Sequence, residues 1–451
     1  MTKLLAFLFV LCSSGSFAQF DKEAARLDAH MVSPVIFEAF PYWNSDTTSI
    51  ELAILYRVTP SFLFFAKTEN AQQESYEAKG ELVVEIMDSN NVTVGRDFRP
   101  IHIERTSMPT EDSPLSDEIQ GIFTFKLKKG ILKIVIEAKD NESGKSFINR
   151  DTKVDAGTFS ASGLNVSPIM FIDTIQTDSS SSGHAIIFPK NLGGNVIIGQ
   201  AGVCLLQVVS PDTITDIHLA WKIRSKNEDN DEIPQKLQGE RFFQQSGTLA
   251  AIKNAKRVSF TIENGPVHNR FIFAPIPIER LDADTYMLTT TVTQGALKSV
   301  KEFRYKVIWP LKPHSLSDPK LAVDALKLIA TEEEIDQMSA YSSTKSRKAF
   351  QEFWHKRNPD TTHAYNSVMA EYYRRVDESI NRFSVTHEKD GYRTDRGHIY
   401  ILFGAPSITN RMLKPNTSPT EIWTYERPNK RFTFKDSQKN GNYILVKTEN
   451  Y

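Results

Sequence analysis

The period of the chain changes from strand-like to helical at Trp309-Pro310-Leu311-Lys312-Pro313-His314. Before this point, short runs rich in β-branched and aromatic residues alternate with turn residues. Glu81-Leu82-Val83-Val84-Glu85-Ile86-Met87, closed by Asp88-Ser89-Asn90-Asn91, is one such unit. After it, apolar residues recur at steps of three and four: Tyr365, Val368, Met369, Tyr372, Tyr373, Val376, Ile380 and Phe383. A period of two builds sheets and a period near 3.6 builds helices. The two prolines at the switch disfavour continued strand pairing. The chain is thereby constrained to a β-rich portion followed by a separately organised portion that begins with helices.

Within the β portion, Ile50 to Tyr56, Ile122 to Leu127 and Leu132 to Ala138 read as strands, the last two joined by a Lys-Lys-Gly turn. A second region repeats the design with Asn195 to Ile198, Val203 to Val209, Ile217 to Ile223 and Thr285 to Val292. In each region a tight turn leads into a strand, a hairpin and a last strand (Ser146 to Val154; Lys301 to Ile308). Regular spacing of this kind predicts two tandem antiparallel β-sandwiches of immunoglobulin-like type, with one larger β domain as the alternative.

The remainder reads as an α+β module, helices first and a small antiparallel sheet after. Asp318-Pro319 is an N-cap with a helix-opening proline, and Thr331 with Glu334 forms a capping-box pattern. Asn358-Pro359-Asp360-Thr361-Thr362 is expected to open the longest helix. Strands are expected at His398 to Phe403, Glu421 to Glu426, Arg431 to Lys435 and Tyr443 to Lys447. The expected organisation is a signal peptide over 1–18, sandwiches over 19–160 and 161–310, and the α+β module over 311–451.

The signal peptide is read from Met1-Thr2-Lys3, the apolar run Leu4 to Leu11, and Ser16-Phe17-Ala18 before Gln19. That run is shorter than the roughly 20 residues a membrane-spanning helix needs. Cys12 raises a lipoprotein alternative, but Leu11 stands where a small residue is expected. The expected location is periplasmic, outer-membrane-associated or extracellular, with no transmembrane segment in the mature chain. Cys204 would then be its only cysteine, which leaves no intramolecular disulfide and no zinc site built on several thiolates. The 54 basic and 55 acidic residues give no global attraction to nucleic acid or membrane. From Leu311 onward the balance is 22 basic against 18 acidic.

The sequence between Gly391 and Pro406 carries a further signal. Gly391-Tyr392-Arg393-Thr394-Asp395-Arg396-Gly397 runs into Ile399-Tyr400-Ile401-Leu402-Phe403-Gly404-Ala405-Pro406. With Phe353-Trp354 and Arg357-Asn358-Pro359, Glu371-Tyr372-Tyr373-Arg374-Arg375-Val376, and Glu421-Ile422-Trp423-Thr424-Tyr425, it resembles the GWxTD family. Tyr392 stands where that family's namesake Trp would be, and Asn358 where an Asp is usual. The resemblance implies secretion and, often, β-sandwich domains upstream. It supplies no chemistry, because the family's activity is not established.

Two roles are open to the Gly391-to-Gly397 motif. In the structural one, Asp395 accepts backbone N–H groups in a tight turn and pairs with an arginine such as Arg357 or Arg374. In the functional one, Arg393 and Arg396 hold a carboxylate or phosphate. His387, Glu388, Asp390 and His398 offer proton carriers or metal ligands nearby, yet no His-Glu-x-x-His or Gly-x-Ser-x-Gly spacing occurs. Trp423 and Tyr425 alternate in a strand, as core residues do. The sequence therefore assigns no catalytic residue, no metal and no cofactor. It points to an exported, non-enzymatic binding or assembly protein of the bacterial envelope, partnered by a protein or envelope component and not by nucleic acid. The alternatives are an envelope hydrolase with a pocket at Arg393, Asp395 and Arg396, or an accessory component of a surface secretion or motility apparatus.

Overall fold

The structure is a computed structural model that describes residues 33–44, 48–68, 74–106, 119–156, 162–177, 185–225, 235–252, 257–310, 312–340, 343–385, 390–415 and 417–451. The expected signal peptide, Cys12, His387 and Glu388 lie outside the described residues. The chain divides into two compact units, residues 21–310 and 311–451.

The first unit begins with β1 (Val35–Tyr42), β2 (Ser49–Val58), β3 (Ala66–Lys67), β4 (Tyr76–Met87), β5 (Thr93–Arg105), β6 (Ile119–Lys128), β7 (Ile131–Asp140) and β8 (Ser146–Asp155). These make a three-stranded sheet ordered β1-β2-β6 and a five-stranded sheet ordered β3-β4-β7-β8, with β5 also paired to β4. It continues with β9 (Asn165–Val166), β10 (Met170–Thr177), β11 (Ala185–Pro189), β12 (Val196–Ile197), β13 (Gly202–Val209), β14 (His218–Ser225) and β15 (Gln235–Gly239). Then come β16 (Phe243–Ser246), β17 (Thr248–Ile252), β18 (Ser259–Glu263), β19 (Asn269–Ile276), β20 (Thr285–Gln294) and β21 (Leu297–Ile308). One sheet runs β16-β19-β13-β10-β11-β18-β17 with β9 on β13, and another runs β12-β21-β20-β14-β15. Among the described residues of the unit, the pairings are antiparallel except β12 with β21, which is parallel and departs from the all-antiparallel expectation.

The sheets stack through shared faces. On β2, Ile50, Leu52, Ile54, Tyr56 and Val58 pack into one core with Leu82, Val84, Ile86, Ile134 and Ile136. Ala53 and Leu55, on the opposite face, join Met170, Ile172, Leu205, Phe271 and Phe273 in a second core. The β1-β2-β6 sheet is thus buried on both sides, which is why β2 reads as a continuous apolar run without alternation. The next sheet is also covered twice: Phe171, between Met170 and Ile172, turns its ring to Phe303 and Tyr305 at 5.9 and 5.1 Å.

Polar groups pin these layers. The buried Gln207 carboxamide accepts the Trp43 N–H at 2.8 Å and donates to the Trp43 carbonyl and to Asn269 Oδ1. In the Lys190-to-Asn195 loop, Asn191 donates to the Tyr56 carbonyl at 3.1 Å and the Gly194 N–H donates to Glu38 Oε2 at 3.0 Å. Glu38 as a residue is half-buried, but its carboxyl end is enclosed and Oε1 has no hydrogen-bond partner among the described residues. Burial pushes its pKa up to about 7, against the lowering effect of the Gly194 hydrogen bond.

The second unit holds α1 (Pro319–Ala325), α2 (Glu332–Met338), α3 (Thr344–His355), α4 (Ser367–Phe383) and α5 (Asp395–Phe403). Its sheet is β22 (Ile408–Met412), β23 (Thr420–Tyr425), β24 (Lys430–Lys435) and β25 (Ile444–Asn450), antiparallel and in chain order. The caps at Asp318 and Thr331 form as their sequence signals require, the latter a reciprocal box with Glu334. The longest helix opens later than expected. Asp360 instead turns the chain by accepting from Thr362, and Asn366 caps α4 through the Val368 and Met369 N–H groups.

His398 to Phe403 is helical, not the expected strand. Thr394 accepts the Gly397 N–H as the N-cap, and Gly404, at φ +77°, ends the helix. The five-residue apolar run Ile399 to Phe403 carries no period of its own when most sides are buried. The sheet therefore takes its first strand from Ile408–Met412, whose five residues are all exposed. Trp423, Tyr425, Phe432 and Phe434 face a core shared with Phe383, Ile399 and Tyr400.

Candidate functional site

The signature motif is built from close backbone approaches. Gly391 lies on the end of α4, where a Cβ would collide with the Ser379 carbonyl oxygen. Gly397 lies on Gly391, and a Cβ there would collide with the Gly391 carbonyl oxygen. The Thr394 hydroxyl donates to that same carbonyl at 2.8 Å while accepting the Gly397 N–H at 3.0 Å. Two glycines and a threonine thereby lock a 3-10 turn (Gly391–Arg393) between α4 and α5.

The charged residues of the motif diverge. Arg393 reaches α1, donating to Asp324 Oδ2 through Nε and Nη2 at 3.1 and 2.6 Å, with Asp390 Oδ2 3.2 Å from its Nη1. The Tyr392 hydroxyl donates to the same Asp324 oxygen at 2.6 Å, and Lys327 pairs with Oδ1 at 2.5 Å. Burial works against charge on Asp324, but the Lys327, Tyr392 and Arg393 donors outweigh it and hold the carboxyl well below the usual range. Burial and the bond to Asp324 push the Tyr392 hydroxyl up.

Asp395 points elsewhere, accepting the Leu445 N–H at 2.7 Å and so tying the start of α5 to β25. The expected pairing with Arg357 or Arg374 does not occur. Arg357 bonds Glu334 at 3.2 Å and lies over the Phe353 ring, while Arg374 bonds Glu371 and Glu378. Both arginines find carboxylates closer to their own helices, and the tight-turn role belongs to Thr394.

Arg396 is buried under the sheet. Its guanidinium carbon sits 4.3 Å from the centre of the Tyr443 ring and 5.3 Å from that of Phe383. Nη2 donates to the Gly441 carbonyl at 3.0 Å, and Nη1 lies 3.5 Å from Glu421 Oε2. Glu421 is itself buried, accepting Trp423 Nε1 at 2.6 Å and Arg411 Nε at 3.1 Å. Burial pulls the Arg396 pKa down, with Glu421 opposing. His398, half-buried on α5, is also pulled down by burial, with Asp395 opposing.

Arg375 completes the frame by donating to the Ile401 carbonyl at 3.2 Å at the end of α5, where free carbonyls favour a cation. Tyr400 donates to Glu378 of α4. Asp324 and Glu421 were not singled out from the sequence. Glu421 carried a usable signal, because its parity with Trp423 and Tyr425 places it on the core face. Asp324 carried none, since its motif partners Tyr392 and Arg393 lie 68 and 69 residues away.

The order of these elements and their motif contacts can be set against known proteins. The model of the GWxTD domain matches residues 291–451. The chain carries a GWxTD domain. The match begins inside β20 and so includes the last strand of the first unit as well as the whole second unit. In this GWxTD domain the Tyr392 hydroxyl gives the namesake position a hydrogen bond to Asp324. No curated protein matches the chain. Among solved structures, red sea bream transglutaminase is 8% identical, with 65% of this chain and 34% of that chain covered and a TM-score of 0.17. The chain thus spans about a third of that protein. BspA_C_WT is 10% identical, with 57% and 93% covered and a TM-score of 0.13. Scores this low carry no structural argument. Among the described residues, no helix is long and apolar enough to cross a membrane.

Proposed function

We propose that this is an exported, non-enzymatic binding or assembly protein of the bacterial envelope, in which immunoglobulin-like sandwich layers carry a GWxTD domain. One observation supports the reading above others: Arg393, Asp395 and Arg396 go to three separate partners, Asp324, the Leu445 N–H and Glu421. A hydrolytic pocket would need these groups to converge on one substrate position. Here they fasten α1, β25 and β23 to a common turn. The motif then serves as scaffold, and contact with a partner falls to the surfaces that the scaffold presents.

The test is affinity capture of envelope proteins by the full chain, with Arg393→Ala alongside. The same protein partners should be recovered with both, because Arg393 acts within the domain. Turnover of an envelope polymer that is abolished by Arg393→Ala in a folded protein would reverse the reading in favour of an enzyme.

A further inference from the structure

The sheet ordered β12-β21-β20-β14-β15 buries one face and leaves the other open. Parity assigns the side chains. Trp221 and Ile223 of β14, Tyr286 and Leu288 of β20, and Tyr305 and Val307 of β21 are buried, so the alternate residues make the outer face. On that face β21 sets Lys298, Arg304 and Lys306, all exposed, and β14 adds Lys222 and Arg224. Glu302 is the one acid that these three strands place there.

Register gathers the cations. Arg224 and Arg304 flank Met287 in one cross-strand row, with Lys222 one row away on one side and Lys306 one row away on the other. The two arginines are about 10 Å apart at the backbone, and successive rows are about 7 Å apart. Among the described residues none of the five cations forms an ion pair. Asp284, just before β20, is held instead by the buried Ser225 hydroxyl at 2.9 Å and the Thr285 N–H at 2.7 Å.

A solvated sheet face ordinarily mixes signs. The outer face of β4 and β7 does so, with Glu81 opposite Lys139 and Lys79 bonded to Glu77 at 2.9 Å. Five cations against one carboxylate leave their mutual repulsion largely uncompensated. The central strand adds a second chemistry. Thr285, Thr289, Thr291 and Thr293 run down β20 between the two basic strands as a file of hydroxyl groups. No Phe, Tyr or Trp stands on the outer face of β14, β20 or β21.

We propose that this face binds an acidic polysaccharide, whose carboxylates lie on Lys222, Arg224, Arg304 and Lys306 and whose hydroxyls meet the threonine file. The lining decides the occupant. A protein partner is anchored by aromatic side chains at an apolar centre depleted in lysine, and single-stranded nucleic acid needs rings for its bases. Neither anchor stands on this face, whereas guanidinium forks, ammonium groups and hydroxyls match a hydrated polyanion. The proposal rests on the binding-module reading and names a ligand class for it.

The probe is fluorescein-labelled polygalacturonate, titrated into the full chain by fluorescence anisotropy beside neutral dextran, polyglutamate and duplex DNA. Polygalacturonate should bind and weaken as salt is raised, dextran should not bind, and polyglutamate and DNA should bind less tightly. Arg224→Gln combined with Arg304→Gln should lower the affinity at least about tenfold while the circular dichroism stays unchanged. Lys79→Gln combined with Lys139→Gln, on the mixed-sign sheet, should leave it unaltered. Polyglutamate or DNA bound as tightly, no binding of polygalacturonate, or indifference to the arginine pair would overturn the proposal. The connection from β14 to β15, outside the described residues, carries Glu228, Asp229, Asp231 and Glu232. Binding that emerges only after these four are changed to Gln and Asn would also overturn it, by assigning the cations to the chain itself. Envelope protein capture that persists while polygalacturonate fails would remove this face and leave the binding-module reading standing.

Discussion

Two sheets in this molecule solve the same problem in opposite ways. The β1-β2-β6 sheet presents apolar side chains on both faces, Leu52 and Ile54 to one core and Ala53 and Leu55 to another. The sheet of the GWxTD domain alternates more nearly, with Trp423, Tyr425, Phe432 and Phe434 buried against one core and Ile422, Arg431 and Thr433 half-buried on the opposite face, beside a buried Thr424. A sheet with no polar face must be covered twice, so it welds its neighbours into one cooperative body. A sheet with a polar face can end a domain and remain available to a partner. The difference separates a sheet shared between two cores from a sheet that serves one.

The sharpest way to break this comparison is to remove one side chain from each face of β2. Leu52→Ala and Leu55→Ala should each destabilise the first unit by about 2–5 kcal/mol, since both leucines are fully buried. Because the sheet is shared, both should lower a single thermal transition of that unit. Two transitions moving independently in calorimetry would show that the layers unfold separately.

Glu38 tests the same junction through pH. Its pKa is raised from 4.5 to about 7, so the folded unit prefers the protonated acid. Stability from this group is complete below about pH 4.5 and is lost as pH rises through about 7. The raised pKa sets an upper bound of about 3 kcal/mol on that loss. Glu38→Gln keeps an acceptor for the Gly194 N–H without the charge. Its urea midpoint should exceed the parent's at pH 8 and match it at pH 4.5, and a constant difference would reject the role.

Asp324 provides the corresponding test in the GWxTD domain, and the sign is reversed. Its depressed pKa makes a contribution that is present above the ordinary carboxylate range and disappears as pH falls through the depressed value. Asp324→Ala should cost about 1–2 kcal/mol at pH 7, discounted for a network open to solvent, and the gap to the parent should narrow below about pH 4. A gap that is unchanged on acidification would mean that packing, not charge, is what Asp324 supplies.

How much of this was legible in the sequence follows from the physics of each element. Caps were readable because Asp318-Pro319 and Thr331 with Glu334 act within one turn. The strand-rich and helix-opening portions were readable from period alone. The strand expected at His398 to Phe403 is a helix: Ile399 to Phe403 is apolar throughout and carries no period, so that only Thr394 and Gly404, its cap and its end, mark it as helical. The stacking of sheets was written in β2, where Leu52, Ala53, Ile54 and Leu55 leave no polar parity, but a single sequence does not say what covers the second face. The motif's partners were the least legible part. Arg393 to Asp324 and Asp395 to Leu445 join residues 69 and 50 positions apart, a separation at which spacing rules carry no information.

The smallest effect is also the one that most directly separates the two sheets. Ile422 and Trp423 are neighbours on β23, yet Ile422 looks outward between Asn410 and Thr433 while Trp423 is buried among Phe383, Tyr400 and Phe434. Threonine at position 422 keeps the β-branched shape that a strand favours. Ile422→Thr should therefore change stability by no more than about 1 kcal/mol, since Ile422 is half-buried. A buried β2 position would respond quite differently to the same exchange, because Ile54→Thr would place a hydroxyl in a closed core. If Ile422→Thr proved as costly as Ile54→Thr in parallel denaturation curves, the outer face would have to be covered in the free protein. The sheet of the GWxTD domain would then be a further doubly buried layer.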